Sequence, residues 1–169
     1  MRRISKTDAL RLVEQDAPAL ARFSGCPMCA LAAGSEATVL ERDGVLVALD
    51  RFAARRGHLL VVLRRHVETL RELAWTEYLA VQRLAWEASR AVDAALKPRH
   101  VYVAALGTAT ARPMSFPHHH VHVVPLYDGD ERDRPSEVFS WSRGVEIYEA
   151  GEAQALIGAV REAWPRGDP

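Results

Sequence analysis

The spacing of apolar and polar positions along the chain predicts five β-strands. The predicted strands cover residues 37–42, 45–50, 58–63, 101–106 and 118–124. Asp43-Gly44 separates the first two, and this dipeptide favours a tight hairpin turn. The third run is almost entirely apolar, which is typical of a central strand covered on both faces.

Helical spacing appears three times. A short amphipathic helix is predicted over residues 7–15, with Ser5 or Thr7 as its cap and Pro18 breaking the pattern. The longest helix is predicted over Trp75–Leu96, stopped by Lys97-Pro98. A closing helix is predicted over residues 150–164. Strands, a long helix and further strands, in that order, indicate an α+β fold with an antiparallel sheet of about five strands.

The composition excludes some classes of function but does not identify the function of the protein. The 169 residues fit a single domain, 1–169. The 22 basic residues balance 22 acidic ones, so we expect neither a nucleic-acid partner nor binding to an anionic membrane. No apolar run approaches the length of a membrane span, and no signal-peptide pattern follows the basic start. We therefore expect a cytoplasmic protein.

Four of the seven histidines fall within five residues, in the segment Pro117-His118-His119-His120-Val121-His122. Alternate residues of a strand share a face, so His118, His120 and His122 are predicted to point the same way. A solubilising tract or a tag is the plain alternative, but the run is internal and bounded by apolar strand formers. Imidazole ligates zinc, and it also acts as a nucleophile or an acid–base group near neutral pH.

Two cysteines, Cys26 and Cys29, lie in a turn-rich stretch that ends at Gly34. In a reducing compartment a Cys-x-x-Cys pair is either a redox couple or half of a metal site. The count of cysteines alone does not choose between the two.

The histidine segment resembles the histidine-triad (HIT) family of nucleotide hydrolases and transferases. That family carries His-φ-His-φ-His-φ-φ, where φ is apolar, and only His119 departs from this pattern here. Upstream, Leu49-Asp50, Gly57-His58 and Arg65-His66 have the order and spacing of the family's first half. The resemblance covers about residues 24–126 and implies a HIT-like fold, followed by a C-terminal extension over 126–169 that ends in a helix.

The resemblance implies a division of labour among the polar residues of the site. His120 would be the nucleophile, with His122, His58 and Ser115 in support, and Asp50 would bind the ribose hydroxyls. For Asp50 the alternative is a carboxylate that caps a turn at the strand end. For His58 the alternative is an ordinary polar residue at a strand start.

The resemblance also implies a structural zinc site. Many family members build one from a Cys-x-x-Cys pair, the histidine after the third strand and the first histidine of the triad. The matching residues here are Cys26, Cys29, His66 and His118, a closed set of two thiolates and two imidazoles. A zinc ion there would remove His118 from the chemistry. The redox alternative stays open, although the flanking sequence lacks a thioredoxin-like setting.

The loop before the triad departs from the family pattern. Pro113 and Met114 stand where many members have Gly and Gln, and Gly107 replaces a common Asn. Because proline has no backbone N–H, phosphate binding by this loop is altered. The polar residues Thr108, Thr110 and Arg112 are candidate substitutes, and an ordinary exposed loop is the alternative.

The expected function is therefore hydrolysis at the α-phosphorus of a nucleotide ester, anhydride or amidate, through a nucleotidyl-histidine intermediate. The alternatives are a nucleotidyltransferase or phosphorylase that uses the same intermediate, and a zinc-stabilised nucleotide-binding protein with little turnover. The resemblance further implies a purine nucleotide as substrate and a homodimer, with Trp75–Leu96 as an interface element. The C-terminal extension would cover an edge, complete a partner's pocket or restrict substrate size.

Overall fold

A five-stranded antiparallel sheet with the strand order β2-β3-β4-β6-β5 forms the centre of the protein, which confirms the predicted α+β fold. The computed structural model describes residues 1–106, 116–149 and 151–166. In chain order the elements are β1 (Arg2–Ile4), α1 (Lys6–Leu20), α2 (Pro27–Ala32), β2 (Thr38–Arg42), β3 (Val45–Leu49), β4 (Leu59–Leu63), α3 (Trp75–Leu96), β5 (His100–Ala104), β6 (His120–Leu126), α4 (Pro135–Phe139), β7 (Val145–Ile147) and α5 (Glu152–Glu162).

The strands β3 and β4 are buried at every position because both faces of the sheet are covered there. Alternate residues such as Val47 and Val61 pack under α3 and α5, in the largest apolar cluster. The opposite face of β4 packs Leu60 and Val62 against Cys26 and Met28, at the start of α2. The continuous apolar run of β4 thus has the two-sided burial that its sequence predicts.

The long helix α3 has the bounds that its apolar spacing predicts, Trp75–Leu96. Its buried stripe faces the sheet, and it includes one carboxylate, Glu87, which is 3% exposed. Glu87 accepts hydrogen bonds from Arg42 on β2 and from the indole N–H of Trp164, at 2.9 Å for the latter. This buried acid therefore ties α3 to both the sheet and the C-terminal end of the chain.

The prediction for the first helix was wrong at its C-terminal end. Helix α1 begins after Ser5, whose hydroxyl accepts the Asp8 N–H at 3.1 Å, and continues through Pro18 to Leu20. Pro18 has no N–H and costs the helix one backbone hydrogen bond, and the helix ends two residues later. The stretch predicted as turns after Gly25 also contains the short helix α2, with Cys26 as its cap.

The histidine strand begins and ends later than predicted. Strand β6 starts at His120, because the two residues before it bond elsewhere: the His118 N–H bonds the Phe116 carbonyl, and the His119 N–H bonds the Val67 carbonyl at 2.6 Å. At the other end the strand includes Pro125. That residue lies beyond the last β6 residue paired with β4, so the absence of its amide is tolerated.

The C-terminal extension wraps around the turn between β3 and β4. A two-stranded ribbon, β1 with β7, was not predicted from the sequence. Ala53 and Glu146 exchange two backbone hydrogen bonds, at 2.8 and 3.1 Å, and the Tyr148 hydroxyl accepts the Gly57 N–H at 2.8 Å. The extension is therefore fixed beside the turn that carries Asp50 and His58.

Candidate active site and metal centre

Three histidines form a continuous chain of ring contacts on one face of the sheet. His120 and His122 are alternate residues of β6. His122 lies opposite Leu60 on β4, two residues after His58. The His120 Nε2 lies 3.1 Å from His122 Nε2, and the His122 Nδ1 lies 3.0 Å from His58 Nε2. Adjacent strands therefore bring together three residues that are up to 64 positions apart in sequence.

The partners of these rings determine which nitrogens carry hydrogen. The His120 Nδ1 lies 2.6 Å from the His118 carbonyl oxygen, which can only accept, so Nδ1 carries the hydrogen and Nε2 has a free lone pair. His122 then donates its Nε2–H to His120 and accepts at Nδ1 from the Nε2–H of His58. A single backbone carbonyl thus fixes the tautomer of each ring in the chain.

The far end of this chain meets a carboxylate. The His58 Nδ1 accepts the Ala54 N–H at 3.2 Å and also lies 3.1 Å from Asp50 Oδ2. The other oxygen of Asp50 accepts the Phe52 N–H at 3.0 Å. Asp50 therefore caps the turn, as one of its two alternatives predicts, and it also contacts the histidine chain. Ribose binding by Asp50 stays a prediction.

Burial keeps the inner rings neutral. Burial, together with the charges that His58 and His120 would carry, lowers the pKa of His122 to about 2. Burial also lowers the pKa of His58, against the opposing effect of Asp50. The assigned hydrogen bonds give each ring one donor and one acceptor nitrogen, and this pattern requires neutral rings.

These side chains line a cavity of about 670 Å³. His58, His120 and His122 lie on one side, with Asp50 beside them. Residues of α1 and α2 form a second side, and the C-terminal extension forms a third through Phe139, Trp141 and Tyr148. The volume is within the usual range for small-molecule sites, roughly 300–1,000 Å³, and the mixture of apolar walls with a few convergent polar groups is typical of them.

A second cluster lies beside the cavity, at the start of α2. It consists of the four predicted ligands, Cys26, Cys29, His66 and His118, whose ligand atoms all lie within 4.8 Å of one another. The His118 Nδ1 is 3.4 and 3.5 Å from the two sulfurs, and the His66 Nδ1 is 3.3 Å from Cys29 Sγ. Standard Zn–S and Zn–N bond lengths give an S···N edge of about 3.6 Å in a tetrahedral site, so the donor set fits zinc.

The surroundings of this cluster also favour a metal over a redox couple. The His118 Nε2–H donates to the Leu63 carbonyl at 2.7 Å, which leaves Nδ1 free to ligate, as outer partners of metal-bound histidines do. Burial and the neighbouring Cys26 raise the pKa of Cys29 to about 11. Reactive redox cysteines have a lowered pKa, so this thiol lacks the usual activation.

The remaining predicted residues divide into two groups. Ser115 and the polar loop residues Thr108, Thr110 and Arg112 lie outside the described residues. His119 is described: it is 8% exposed, and its Nε2 has no hydrogen-bond partner in the part of the chain that the structure describes. His119 is therefore buried, and it is not part of the chain of ring contacts that joins His120, His122 and His58.

Sequence reasoning did not find the aromatic residues that the C-terminal extension brings to the cavity. The Phe139 ring lies 5.5 Å from the His122 ring, and the Trp141 ring lies 5.6 Å from Phe52, between centroids. Phe139 and Trp141 follow the polar stretch 128–135, whose composition is typical of an exposed segment. The sequence shows two aromatic residues within three positions, Phe139 and Trp141. This pattern does not indicate that either residue lies close to the histidines.

A five-stranded antiparallel sheet that carries a chain of histidines beside a Cys₂His₂ cluster defines a class of proteins with a histidine-rich site at a small-molecule cavity. The HIT domain family model matches residues 34–129, more than half of the chain, and this protein belongs to the HIT family. Members of the family are in general nucleotide-binding hydrolases or transferases, and membership supports this general kind of function here.

The chain is similar to both curated and structurally solved proteins of this family. An uncharacterized HIT-like protein of Mycobacterium tuberculosis is 28% identical over 148 residues, which cover 85% of this chain and 95% of the relative. A hypothetical histidine triad nucleotide-binding protein from Sulfolobus tokodaii has a TM-score of 0.64 at 21% identity, over 82% of this chain and 91% of that one. A zinc-bound histidine triad family protein from Mycobacterium smegmatis has a TM-score of 0.56 at 22% identity, over 82% and 96%.

No helix among the described residues has both the length and the apolar character required to cross a bilayer.

Proposed function

We propose that the protein is a nucleotide phosphohydrolase that acts at the α-phosphorus through a nucleotidyl-histidine intermediate on His120. The observation that carries this proposal is the hydrogen bond from His120 Nδ1 to the His118 carbonyl, because it leaves the lone pair on Nε2. His120 and His122 both line the cavity, and His122 can donate its Nε2–H to a phosphoryl oxygen once substrate enters. Donation to the substrate would release the His120 lone pair for attack.

The proposed reaction has two balanced steps. In the first, His120 Nε2 forms a bond to the α-phosphorus, and the bond from phosphorus to the leaving oxygen or nitrogen breaks with its electron pair, which takes up a proton. The resulting imidazolium keeps its Nδ1–H on the His118 carbonyl, where the charge is stabilised. In the second, water attacks phosphorus, the N–P bond breaks, and one proton is released as neutral His120 is restored.

The supporting residues have separate proposed roles. Asp50, already held by the Phe52 N–H, would bind the ribose hydroxyls through its second oxygen. His58 would hold His122 in the required tautomer, as a base is oriented by a third group in other nucleophilic sites. Ser115 would donate a hydrogen bond near the scissile bond. A purine nucleotide is the proposed substrate, in keeping with the size and apolar walls of the cavity.

The Cys₂His₂ cluster is proposed to hold a structural zinc ion. The four ligands leave no open position for substrate, which is the arrangement of structural rather than catalytic zinc. The ion would fix the first turn of α2 and the His118 backbone. Because the His118 carbonyl orients the His120 ring, the proposed zinc site supports the nucleophile without taking part in the chemistry.

A homodimer is the proposed assembly. Large apolar side chains are exposed along α3 and on β5, the strand at one edge of the sheet: Trp75, Leu79, Trp86 and Val103. An edge strand and apolar side chains exposed to water favour association. We propose that a second copy of the chain covers this surface.

Substitution of His120 tests the hydrolase proposal directly. His120→Ala should lower the kcat for release of AMP from adenosine phosphoramidates by roughly 10³-fold or more, as expected when a covalent nucleophile is removed. The measurement is AMP release by chromatography, together with mass spectrometry of the protein for a nucleotidyl adduct. His100→Ala is the matched control, since this histidine is exposed and lies outside the cavity.

The outcomes separate the competing functions. AMP release that survives in His120→Ala would exclude this nucleophile. Transfer of the nucleotide to added phosphate in preference to water would indicate a nucleotidyltransferase or phosphorylase. Nucleotide binding by the unmodified protein, with neither turnover nor adduct, would indicate a binding protein.

A further inference from the structure

Trp141 has a backbone conformation that a tryptophan rarely adopts. Its φ is 57°, in the left-handed region where a side chain crowds the backbone and glycine or asparagine is preferred. Strained positions of this kind persist only where the surrounding structure holds them, and they occur often at ligand sites. The ring of Trp141 lines the cavity that contains the three histidines.

The segment around Trp141 is held from several directions. The Gly144 N–H donates to the Trp141 carbonyl at 2.9 Å, closing a tight turn, and Lys6 Nζ donates to the Ser140 carbonyl at 2.9 Å. Arg143 and Ser142 both bond the Glu137 carboxylate, at 2.8 and 3.0 Å. These contacts hold the backbone of the segment that carries the indole and offset the strain at Trp141.

The indole of Trp141 belongs to an aromatic wall that begins at the histidine chain. Phe139 contacts His122 edge-on, at an interplanar angle of 63°. Trp141 contacts Phe52 at an angle of 44°, and the Phe52 N–H is bound by Asp50. The wall therefore runs from the reacting end of the cavity to the residue proposed to hold the ribose.

We propose that Trp141 is the residue on which the nucleobase of the substrate stacks, supplied by the C-terminal extension of the same chain. This inference rests on the proposed function, because it takes the cavity to be a nucleotide site. The ribose links the phosphate to the base, so with phosphorus at His120 and ribose at Asp50 the base extends toward Phe52 and Trp141. Trp141 is half-buried, which leaves part of its ring available to a planar ligand. The extension thereby selects nucleotides with a large aromatic base.

Binding of AMP and ribose 5-phosphate tests this proposal without turnover. Both carry a 5′-phosphate and ribose, and only AMP has a base. Trp141→Gly removes the indole and accepts the left-handed backbone. It should raise the Kd of AMP roughly 10-fold, which equals about 1.4 kcal/mol and is within the range for stacking of one base. The Kd of ribose 5-phosphate should change less than twofold.

Fluorescence gives an independent measurement of the same contact. AMP should quench the emission of the unmodified protein, and Trp141→Phe should lose most of that quenching while it keeps most of the affinity. Trp75→Phe is the matched control, because Trp75 is 69% exposed and lies on α3, outside the cavity; quenching by AMP should persist.

Each other result would overturn the inference. Equal weakening of AMP and ribose 5-phosphate in Trp141→Gly would indicate general damage to the site. Unchanged AMP binding, with a higher KM only for substrates with bulky leaving groups, would place Trp141 at the leaving group. Loss of turnover in His120→Ala does not bear on these binding results, so failure of the hydrolase proposal and failure of this one are distinguishable.

Discussion

One backbone carbonyl, that of His118, determines the chemistry available to three side chains. It accepts from His120 Nδ1 and so fixes the free lone pair on Nε2, and the ring contacts pass that choice to His122 and His58. Any substitution that changes a donor to an acceptor within this chain should therefore disturb the other rings. The residues act as a unit, and their individual effects should not be additive.

The lowered pKa values of the buried histidines predict a stability that depends on pH. An unfolded histidine binds a proton below about pH 6.5, whereas His122 in the folded protein stays neutral down to about pH 2. The unfolded state thus binds more protons in that window, and stability is lost as pH falls below 6.5. The expected loss is about 1.4 kcal/mol per pH unit for each such histidine.

Urea unfolding at pH 7, 6 and 5 measures this dependence. His122→Asn, which has no group that titrates there, should flatten the slope relative to the unmodified protein. His100→Asn, at an exposed site, should leave the slope unchanged. An equal slope in all three proteins would show that His122 does not titrate differently on folding.

At the scale of elements, the short helix α2 joins the two sites. It has six residues, too few to be stable alone, and packs through Met28 against Leu60 and Val62 on β4. Cys26 caps this helix, Cys29 lies in its first turn, and other α2 residues line the cavity. The position of α2 should therefore depend on the proposed zinc ion.

Removal of metal should lower the thermal stability. At a free zinc concentration about 1,000-fold above Kd, binding stabilises the fold by about 4 kcal/mol, which is roughly 8–16 °C in Tm for a chain of this size. Calorimetry with and without EDTA measures the shift, and metal analysis of the native protein reports the ion. Cys29→Ser should unfold at the lower temperature and be insensitive to EDTA. An unchanged Tm after metal removal would contradict a structural role for zinc.

At the scale of the whole molecule, the exposed apolar surface on α3 and β5 is the proposed dimer interface. We expect a homodimer in light scattering coupled to size-exclusion chromatography. Val103→Glu should raise the dimer dissociation constant at least 10-fold, because a carboxylate would lose its hydration at the interface. Leu70→Glu is the control, since Leu70 is 63% exposed and belongs to neither α3 nor β5. A monomer of the unmodified protein at micromolar concentration would exclude the proposed dimer.

The local features of this protein were readable from its sequence. The bounds of α3, the hairpin at Asp43-Gly44, the buried run of β4 and the alternation of His120 with His122 depend on periodicity and turn chemistry, which act over a few residues. The four candidate zinc ligands were predicted by resemblance, and the structure brings them together. The sequence did not predict that α1 continues through Pro18 or that α2 exists. Tertiary packing overrides weak local preferences in short segments.

Tertiary structure alone decided which groups meet across long separations in sequence. The approach of His58 to His122, and of Trp141 to Phe52, follows from strand pairing and from the exchange of hydrogen bonds between Ala53 and Glu146. The strained backbone of Trp141 and the hydrogen on His120 Nδ1 depend on partners outside their own segments. The sequence thus determined the local elements and the types of reactive group, whereas long-range packing determined their tautomers, their burial and the aromatic wall beside them, because these properties exist only once distant segments are in contact.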